Sequence, residues 1–342
     1  MHLFKQQAVT SEEQSSTPIP VLDLGPVLAG EAGAMERVAG ELREVSERVG
    51  FFYVKNHGVS QALVDGAFAA SMRFHALPMA TKLGLKVNEN NIGYLPMAGS
   101  LAASSTVHRN TKPNLNESFF ITHDRGAEHP DVIAGKPLRS QNQWPEGEAA
   151  MREAMVAYFG GVGALAATLV QVFAVSFGLP ADWFEQAFDD EPNSTIRFIH
   201  YPPHESVEEN QFGSAPHTDN SFLTILARTE VPGLAVRLAS GKWYVPPLIP
   251  GTFLVNLGNI LRRYSNDSYL STPHGVINES GTDRYSIAFF HNPNPAAVVA
   301  PVPTQVGEGR PAVYGAEPYL ELALAFYRAN YVHLRKDAAA AE

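Results

Sequence analysis
The sequence predicts a mainly β protein with flanking helices, in which a jelly-roll core is braced by one long scaffold helix. Residues 193–300 supply the first reason: STIRFIHYPP, SFLTILA, GLAVRLA, GTFLVNLG, PHGVIN and RYSIAFFH follow one another as short alternating stretches with Pro and Gly between them. The second is an amphipathic run from Glu148 that continues into the uncharged segment Gly160–Pro180, too long for a strand. The third is a first half that mixes strands with amphipathic helices, which places helices around the sheet.

In chain order, residues 1–17 carry no apolar stretch of the kind a secretion signal needs, so they read as a flexible arm on a cytoplasmic protein. IPVLDLGPV at 19–27 alternates and ends in Gly-Pro, a strand; Met35, Val38, Leu42, Val45 and Val49 then recur at helical spacing. GFFYVKNHGV at 50–59 is a second strand, and Leu63, Val64, Phe68 and Met72 mark a helix that stops near Pro78. From Asn88 to Trp144 the chain is rich in Gly, Pro, Asn and Ser around one strand-like stretch, NESFFITHD, and a loop region this long is expected to contact substrate. These segments form an N-terminal α/β region, 18–145. Scaffold helices occupy 146–192 and the jelly roll 193–300. A C-terminal helix from Tyr319 to His333 and a fraying tail complete 301–342.

Gly160–Pro180 is apolar enough to suggest a membrane span, but it contains Gln171 and Ser176 and lacks Lys or Arg anchors, which fits a buried helix better. A net charge of -10 disfavours nonspecific binding to nucleic acid or anionic membrane and favours a small-molecule partner; nothing in the sequence fixes the oligomeric state. With no cysteine, any metal must be held by His, Asp or Glu.

Such a set is present. His217 and Asp219 flank one residue just before an alternating strand, so both side chains can point to one side. Alone, H-x-[DE] is weak, since about one such triplet is expected by chance in a chain of this composition. His129 and Asp131 show the same spacing in a turn-rich segment with no strand to fix them. What distinguishes His217 and Asp219 is His274, in strand-like surroundings 57 positions later, which a returning strand can bring alongside. Two imidazoles and a carboxylate on one face of a metal leave positions open for substrate and dioxygen, the arrangement non-haem Fe(II) oxygenases use. Ten residues beyond His274, Arg284 and Ser286 share one face of a strand, where together they suit the distal carboxylate of 2-oxoglutarate; for Arg284 alone, an edge-strand salt bridge is the simpler reading. His57, His75, His204, His291 and His333 have no partner at a metal-binding spacing and read as structural or surface imidazoles.

Taken together, His-Thr-Asp, a strand-borne His some fifty to sixty positions later and Arg-Tyr-Ser after ten more resemble the isopenicillin N synthase-like branch of the Fe(II)/2-oxoglutarate oxygenases. IPVLDL, GFFYVKNHGV, FHALPMATK, NIGYLP and NESFF are similar to that family's N-terminal region, and VPGLAVR, GTFLVNLGNILRRYSN and FFHNPNP to its catalytic core, so the likeness spans roughly 18 to 330. The resemblance implies a cupin-like double-stranded β-helix, with His217, Asp219 and His274 as iron ligands and Arg284 and Ser286 as the 2-oxoglutarate clamp. It also implies a supporting role for Tyr201, with Fe(II), 2-oxoglutarate and O2 as cofactor and co-substrates. The implied reaction oxidises an unactivated C–H, most simply by hydroxylation, and releases succinate and CO2. Tyr94, His108, Arg109, Lys112, Asn114, Asn116 and Phe119 fall in segments that line the pocket in relatives, and Phe290 and Asn292 follow the clamp strand. His108, Arg109 and Lys112 are suited to an anionic substrate, although a solvated loop with scattered charges is the plainer reading. The chain departs from the family pattern at Asn259, where Asp is common, at Gly275, where Arg is frequent, and at Ile199 and His200, which replace a common Asn-Tyr pair. An Arg-x-Ser pair also occurs in relatives that use no 2-oxoglutarate. A co-substrate-independent Fe(II) oxidase of the same fold is therefore the alternative reading, followed by a non-oxidative metal isomerase or binding protein.

Overall fold
Alternation in the strands accounts for the architecture, because alternate residues of the core strands go to the helix-covered side and to the space between the sheets. The computed structural model describes all of the chain except residues 1–3, 5–6, 11–17, 190, 204–207, 209 and 335–342. Strands β1 (Val21–Asp23), β2 (Phe51–Lys55), β3 (Gly93–Leu95) and β4 (Glu117–Ile121) come from the first half. β5 (Thr195–Tyr201), β6 (Ser214–His217), β7 (Leu223–Arg228), β8 (Leu234–Arg237), β9 (Trp243–Tyr244), β10 (Phe253–Leu257), β11 (His274–Val276) and β12 (Arg284–His291) follow, and β13 (Val298–Val299) and β14 (Glu317–Pro318) form a small ribbon.

Eight strands make one sheet in the order β1-β2-β10-β7-β12-β5-β4-β3, and four make a second in the order β6-β11-β8-β9. β1 and β2 are parallel, whereas the strands around the site are antiparallel. The first-half strands thus extend the sheet begun by β5, β7, β10 and β12, so the 18–145 and 193–300 regions share one sheet.

The outer face of the large sheet is closed by helices. The scaffold helix, Ala149–Ser176, sends Met155, Tyr158, Val162, Leu165, Leu169 and Phe173 into a core shared with Phe198, Ile225, Val255 and Phe289. Its hydropathy is thus that of a core helix: it passes a length and composition test for a membrane span, yet 56% of the apolar window is buried inside the protein. Helices Ala34–Arg48 and Gln61–His75 cover the rest of this face, the latter started by Ser60, whose hydroxyl accepts the Leu63 N–H at 3.3 Å. The inner faces of the two sheets enclose a second cluster that includes Tyr53, Ile199, Tyr201, Leu234, Val236, Leu254 and Ala288.

The arm is not wholly free. Phe4 is buried with its ring 4.4 Å from that of Trp243, and Ala8 forms a parallel bridge to Trp243, whose N–H donates to the Gln7 carbonyl at 2.7 Å. These residues extend the exposed edge of the smaller sheet, so burial of one aromatic ring corrects the flexible reading for this part of residues 1–17. Gly275 leaves room for it, since a β-carbon there would lie 2.7 Å from Phe4 Cζ and displace the ring. The final segment KDAAAAE lies outside the described residues, as does His204.

Two imidazoles in this core set a pH dependence. Burial pushes His75 down to about 4 and His291 down to about 3. Both charge more readily in the unfolded chain, so their contribution is complete above about pH 6.5 and is lost as pH falls toward 4, at up to roughly 1.4 kcal/mol per pH unit for each. Urea unfolding at pH 7 and pH 4.5 should therefore give a clearly lower midpoint at the acidic pH.

Candidate active site
β6 and β11 pair antiparallel with His217 opposite His274, which places the two imidazole centroids 4.5 Å apart. Asp219 sits just past the end of β6, with Oδ1 3.4 Å from His217 Nε2 and 3.7 Å from His274 Nε2. All three donor atoms lie within 4.8 Å of one another, the one group of this kind among the described residues.

The ring orientations are fixed from behind. His217 Nδ1 is 2.7 Å from the Ala215 carbonyl and His274 Nδ1 is 3.1 Å from the Thr272 carbonyl. Donation from each Nδ1–H leaves the Nε2 lone pairs directed at the shared point. Asp219 is divided similarly: Oδ2 accepts from Thr224 Oγ1 at 2.6 Å and Asn256 Nδ2 at 2.7 Å, while Oδ1 faces the imidazoles. Burial alone would raise this carboxyl, but the neighbouring imidazoles and the Asn256 amide outweigh it and hold the group well below the usual carboxylate range. Burial pushes His274 down to about 4, keeping it neutral. Asn259 pins the turn between His217 and Asp219: its N–H donates to the Asp219 carbonyl at 2.8 Å and its side-chain amide to Thr218 Oγ1 at 3.2 Å.

Deeper between the sheets, Arg284 and Ser286 point inward from β12 and Tyr201 from β5, directly opposite Arg284 in register. Arg284 is 1% exposed, its guanidinium lies 4.7 Å over the Tyr201 ring, and Nε and Nη1 have no hydrogen-bond partner in the protein. This excludes the edge-strand salt bridge. A β-carbon at Gly233 would crowd the Arg284 side chain at 3.2 Å and meet the Ile277 carbonyl at 2.3 Å, so glycine leaves room for it. Two orphaned donors on a buried cation are what a carboxylate needs, and the donor set above them suits Fe(II). The residues present therefore fit both iron and 2-oxoglutarate.

A cavity opens from the triad toward the surface between β4, β5, β12 and the C-terminal helix Tyr319–Asn330. Asn114, Phe290 and Asn292 line it as expected. Tyr94 and Phe119 do not. They face each other across β3 and β4 on the helix-covered side of the sheet, where Phe119 stacks on Phe74 at 4.0 Å and the Tyr94 hydroxyl bonds to Glu117. Phe120, one residue along, turns to the cavity instead, because successive strand residues point to opposite faces. Asn116 lies behind the cavity wall, bonded to the Gly213 carbonyl and to Arg197. His108 contacts Asn110 rather than the cavity, Lys112 pairs with Glu208 at 2.7 Å, and Arg109 is exposed. His129 caps a short helix, with Nδ1 accepting the Asp131 N–H, and Asp131 pairs with Lys136, so this triplet joins no metal-ligand group. Sequence reasoning missed Thr224 and Asn256 behind Asp219, Arg197 and Phe120 in the cavity, and the C-terminal wall of Phe326, Tyr327 and Tyr331. Counting in twos back from Tyr201 would have found Arg197.

Comparisons with known proteins agree with this geometry. Residues 19–147 match the N-terminal family described as non-haem dioxygenase in morphine synthesis, and residues 192–293 match the 2OG-Fe(II) oxygenase superfamily. The chain is 32% identical to the 2-oxoglutarate-Fe(II) type oxidoreductase hxnY of Emericella nidulans over 92% of this chain and 91% of that protein. It is 31% identical to a homoarginine-6-hydroxylase of Glycine max, covering 87% and 94% of the two chains. The crystal structure of a full-length Neurospora crassa protein in complex with α-KG and thymine superposes with a TM-score of 0.78 at 25% identity, over 91% of this chain and 96% of that one. A donor triad suited to iron, a buried arginine without a protein partner and family matches along both halves converge: the chain belongs to the 2-oxoglutarate- and Fe(II)-dependent oxygenases.

Proposed function
We propose that this oxygenase hydroxylates an unactivated C–H of a small molecule, with His217, Asp219 and His274 holding Fe(II) and Arg284, Ser286 and Tyr201 holding the distal carboxylate of 2-oxoglutarate. The observation that carries this reading is the convergence of the three donor atoms within 4.8 Å, together with a buried arginine with two orphaned nitrogens that packs against Gly233, beside the strand pair that carries His274. A thymine complex of the Neurospora protein and the hydroxylase name of the soybean relative support a small substrate and this outcome.

Fe(II) with 2-oxoglutarate and O2 supplies oxidative decarboxylation to succinate and CO2, coupled to insertion of the second oxygen atom into a substrate C–H. The protein's own task is placement. The Nδ1–H groups of His217 and His274 are committed to backbone carbonyls, so both rings present Nε2 in one orientation. Thr224 and Asn256 occupy one carboxylate oxygen of Asp219 and direct the other toward the imidazoles. Arg284, itself 1% exposed, would neutralise the co-substrate's far end, and the cavity lined by Phe290 would hold the substrate.

The test is anaerobic reconstitution with Fe(II) and 2-oxoglutarate. A weak visible charge-transfer band and, on adding O2 with candidate substrates, succinate are expected, and His274→Ala should remove both. Absence of both from the wild-type protein would overturn the reading. Asn256→Ala leaves the ligands in place but frees Asp219, so Fe(II) affinity should fall about 10- to 100-fold by anaerobic titration.

A further inference from the structure
We propose that the substrate is a carboxylic acid with a flat apolar body, and that Arg197 recognises its carboxylate; the proposal rests on the oxygenase reading above. β5 presents Thr195, Arg197, Ile199 and Tyr201 to the space between the sheets, because alternate strand residues share a face. Tyr201 marks the deep end beside Arg284, and Arg197 stands four residues nearer the mouth, opposite Ala288 on β12.

Among the described residues, Arg197 is a cation held by neutral groups. Its Nε donates to Ser118 Oγ at 2.9 Å, its Nη2 to Asn116 Oδ1 at 2.7 Å, and its guanidinium lies 5.3 Å over the Phe120 ring. No Asp or Glu among the described residues forms an ion pair with it, and Glu117, beside Ser118 on β4, pairs instead with Lys82 and His200, although the chain as a whole carries a net charge of -10. Among the described residues lining the cavity, the carboxylate and imidazole groups are Asp219 and His217, which belong to the triad. The two braces fix one edge of the guanidinium and leave Nη1 for a ligand in the cavity. Arginine restrained on one edge and half-buried beside an aromatic ring suits a carboxylate. The remaining wall is aromatic, with Phe290 from β12 and Phe326 and Tyr331 from the C-terminal end, which favours a flat body over a sugar-like one. The carboxylate is then the anchor, and the C–H that reacts belongs to the part of the molecule that reaches His217.

The experiment is anaerobic calorimetric titration of the Fe(II)- and 2-oxoglutarate-loaded protein with a panel of aryl and alkyl monocarboxylic acids, each matched with its primary amide. At least one acid should bind the wild type roughly tenfold or more tightly than its amide, the scale of one charge-assisted hydrogen-bonded contact. Arg197→Gln should weaken that acid about tenfold or more and leave the amide's affinity unchanged. If Arg197 only braces Asn116 and Ser118, acid and amide weaken together, and the proposal is wrong. It is equally wrong if no acid in the panel binds, or if acids show no advantage in the wild type, a comparison that needs no variant to fold. The two readings fail separately: a missing 2-oxoglutarate charge-transfer band counts against the co-substrate site, whereas a missing acid preference counts against Arg197.

Discussion

If Arg284 holds 2-oxoglutarate as proposed, Arg284→Leu is expected to raise the dissociation constant for 2-oxoglutarate by about two to three orders of magnitude and to leave the co-substrate-free protein at least as stable as wild type. The two halves of this expectation follow from one fact. The guanidinium is 1% exposed, and two of its nitrogens have no partner in the protein. Losing it deprives the bound carboxylate of a buried counter-charge, which costs roughly 2–5 kcal/mol. Without co-substrate the same group is an uncompensated buried charge, and burial already presses its proton affinity below the ordinary value despite help from Tyr201. Replacing it with a hydrophobe of similar reach then relieves a cost. Anaerobic titration gives the first quantity and calorimetric melting the second. A variant that binds 2-oxoglutarate within about threefold of wild type would place the clamp elsewhere.

Glu117→Gln is expected to destabilise the fold by about 3–5 kcal/mol, the usual consequence of removing one member of a buried ion pair and leaving the other. Lys82 Nζ lies 2.9 Å from Glu117 Oε2, with the two side chains 5% and 7% exposed, and His200 Nδ1 lies 2.8 Å from Oε1. The Tyr94 hydroxyl adds a further bond to Oε2. Burial alone would raise the Glu117 carboxyl, but hydrogen bonds from His200, Tyr94 and Lys82 outweigh it and bring it down to about 2. With the folded value below the unfolded one, this stabilisation is full above about pH 4.5 and disappears as pH falls toward 2. Denaturant midpoints of wild type and Glu117→Gln should therefore differ widely at pH 7 and converge in acid. Equal midpoints at pH 7 would show that the cluster contributes nothing net.

What could be read in advance divides along a physical line. The triad was legible because His217 and Asp219 stand at a strand end and His274 in strand-like surroundings, a set of metal-binding residue types whose pairing across 57 positions the family pattern supplied. The scaffold helix and the core strands were legible because their periodicity is written locally. Tyr94 and Phe119 were misplaced because β3 and β4 are buried on both faces, so alternation identifies two sets of residues without saying which set meets the cavity. Asn256 was overlooked in the middle of an apolar strand, where its partner Asp219 is 37 residues away. The docking of Phe4 and the closing of the cavity by Phe326 and Tyr331 are contacts between chain ends and the core, and no local pattern encodes them.

On the roles proposed above, β5 and β12 carry a co-substrate end and a substrate end on the same pair of rails. Arg284 and Phe290 are six residues apart on β12, a rise of about 20 Å. Natural variation or laboratory evolution can thus exchange residues near Phe290 and Arg197 to admit a new molecule while the oxidant-generating end keeps its wiring. New selectivity is to be sought at the upper rungs, and changes on the lower ones are expected to silence the enzyme rather than redirect it.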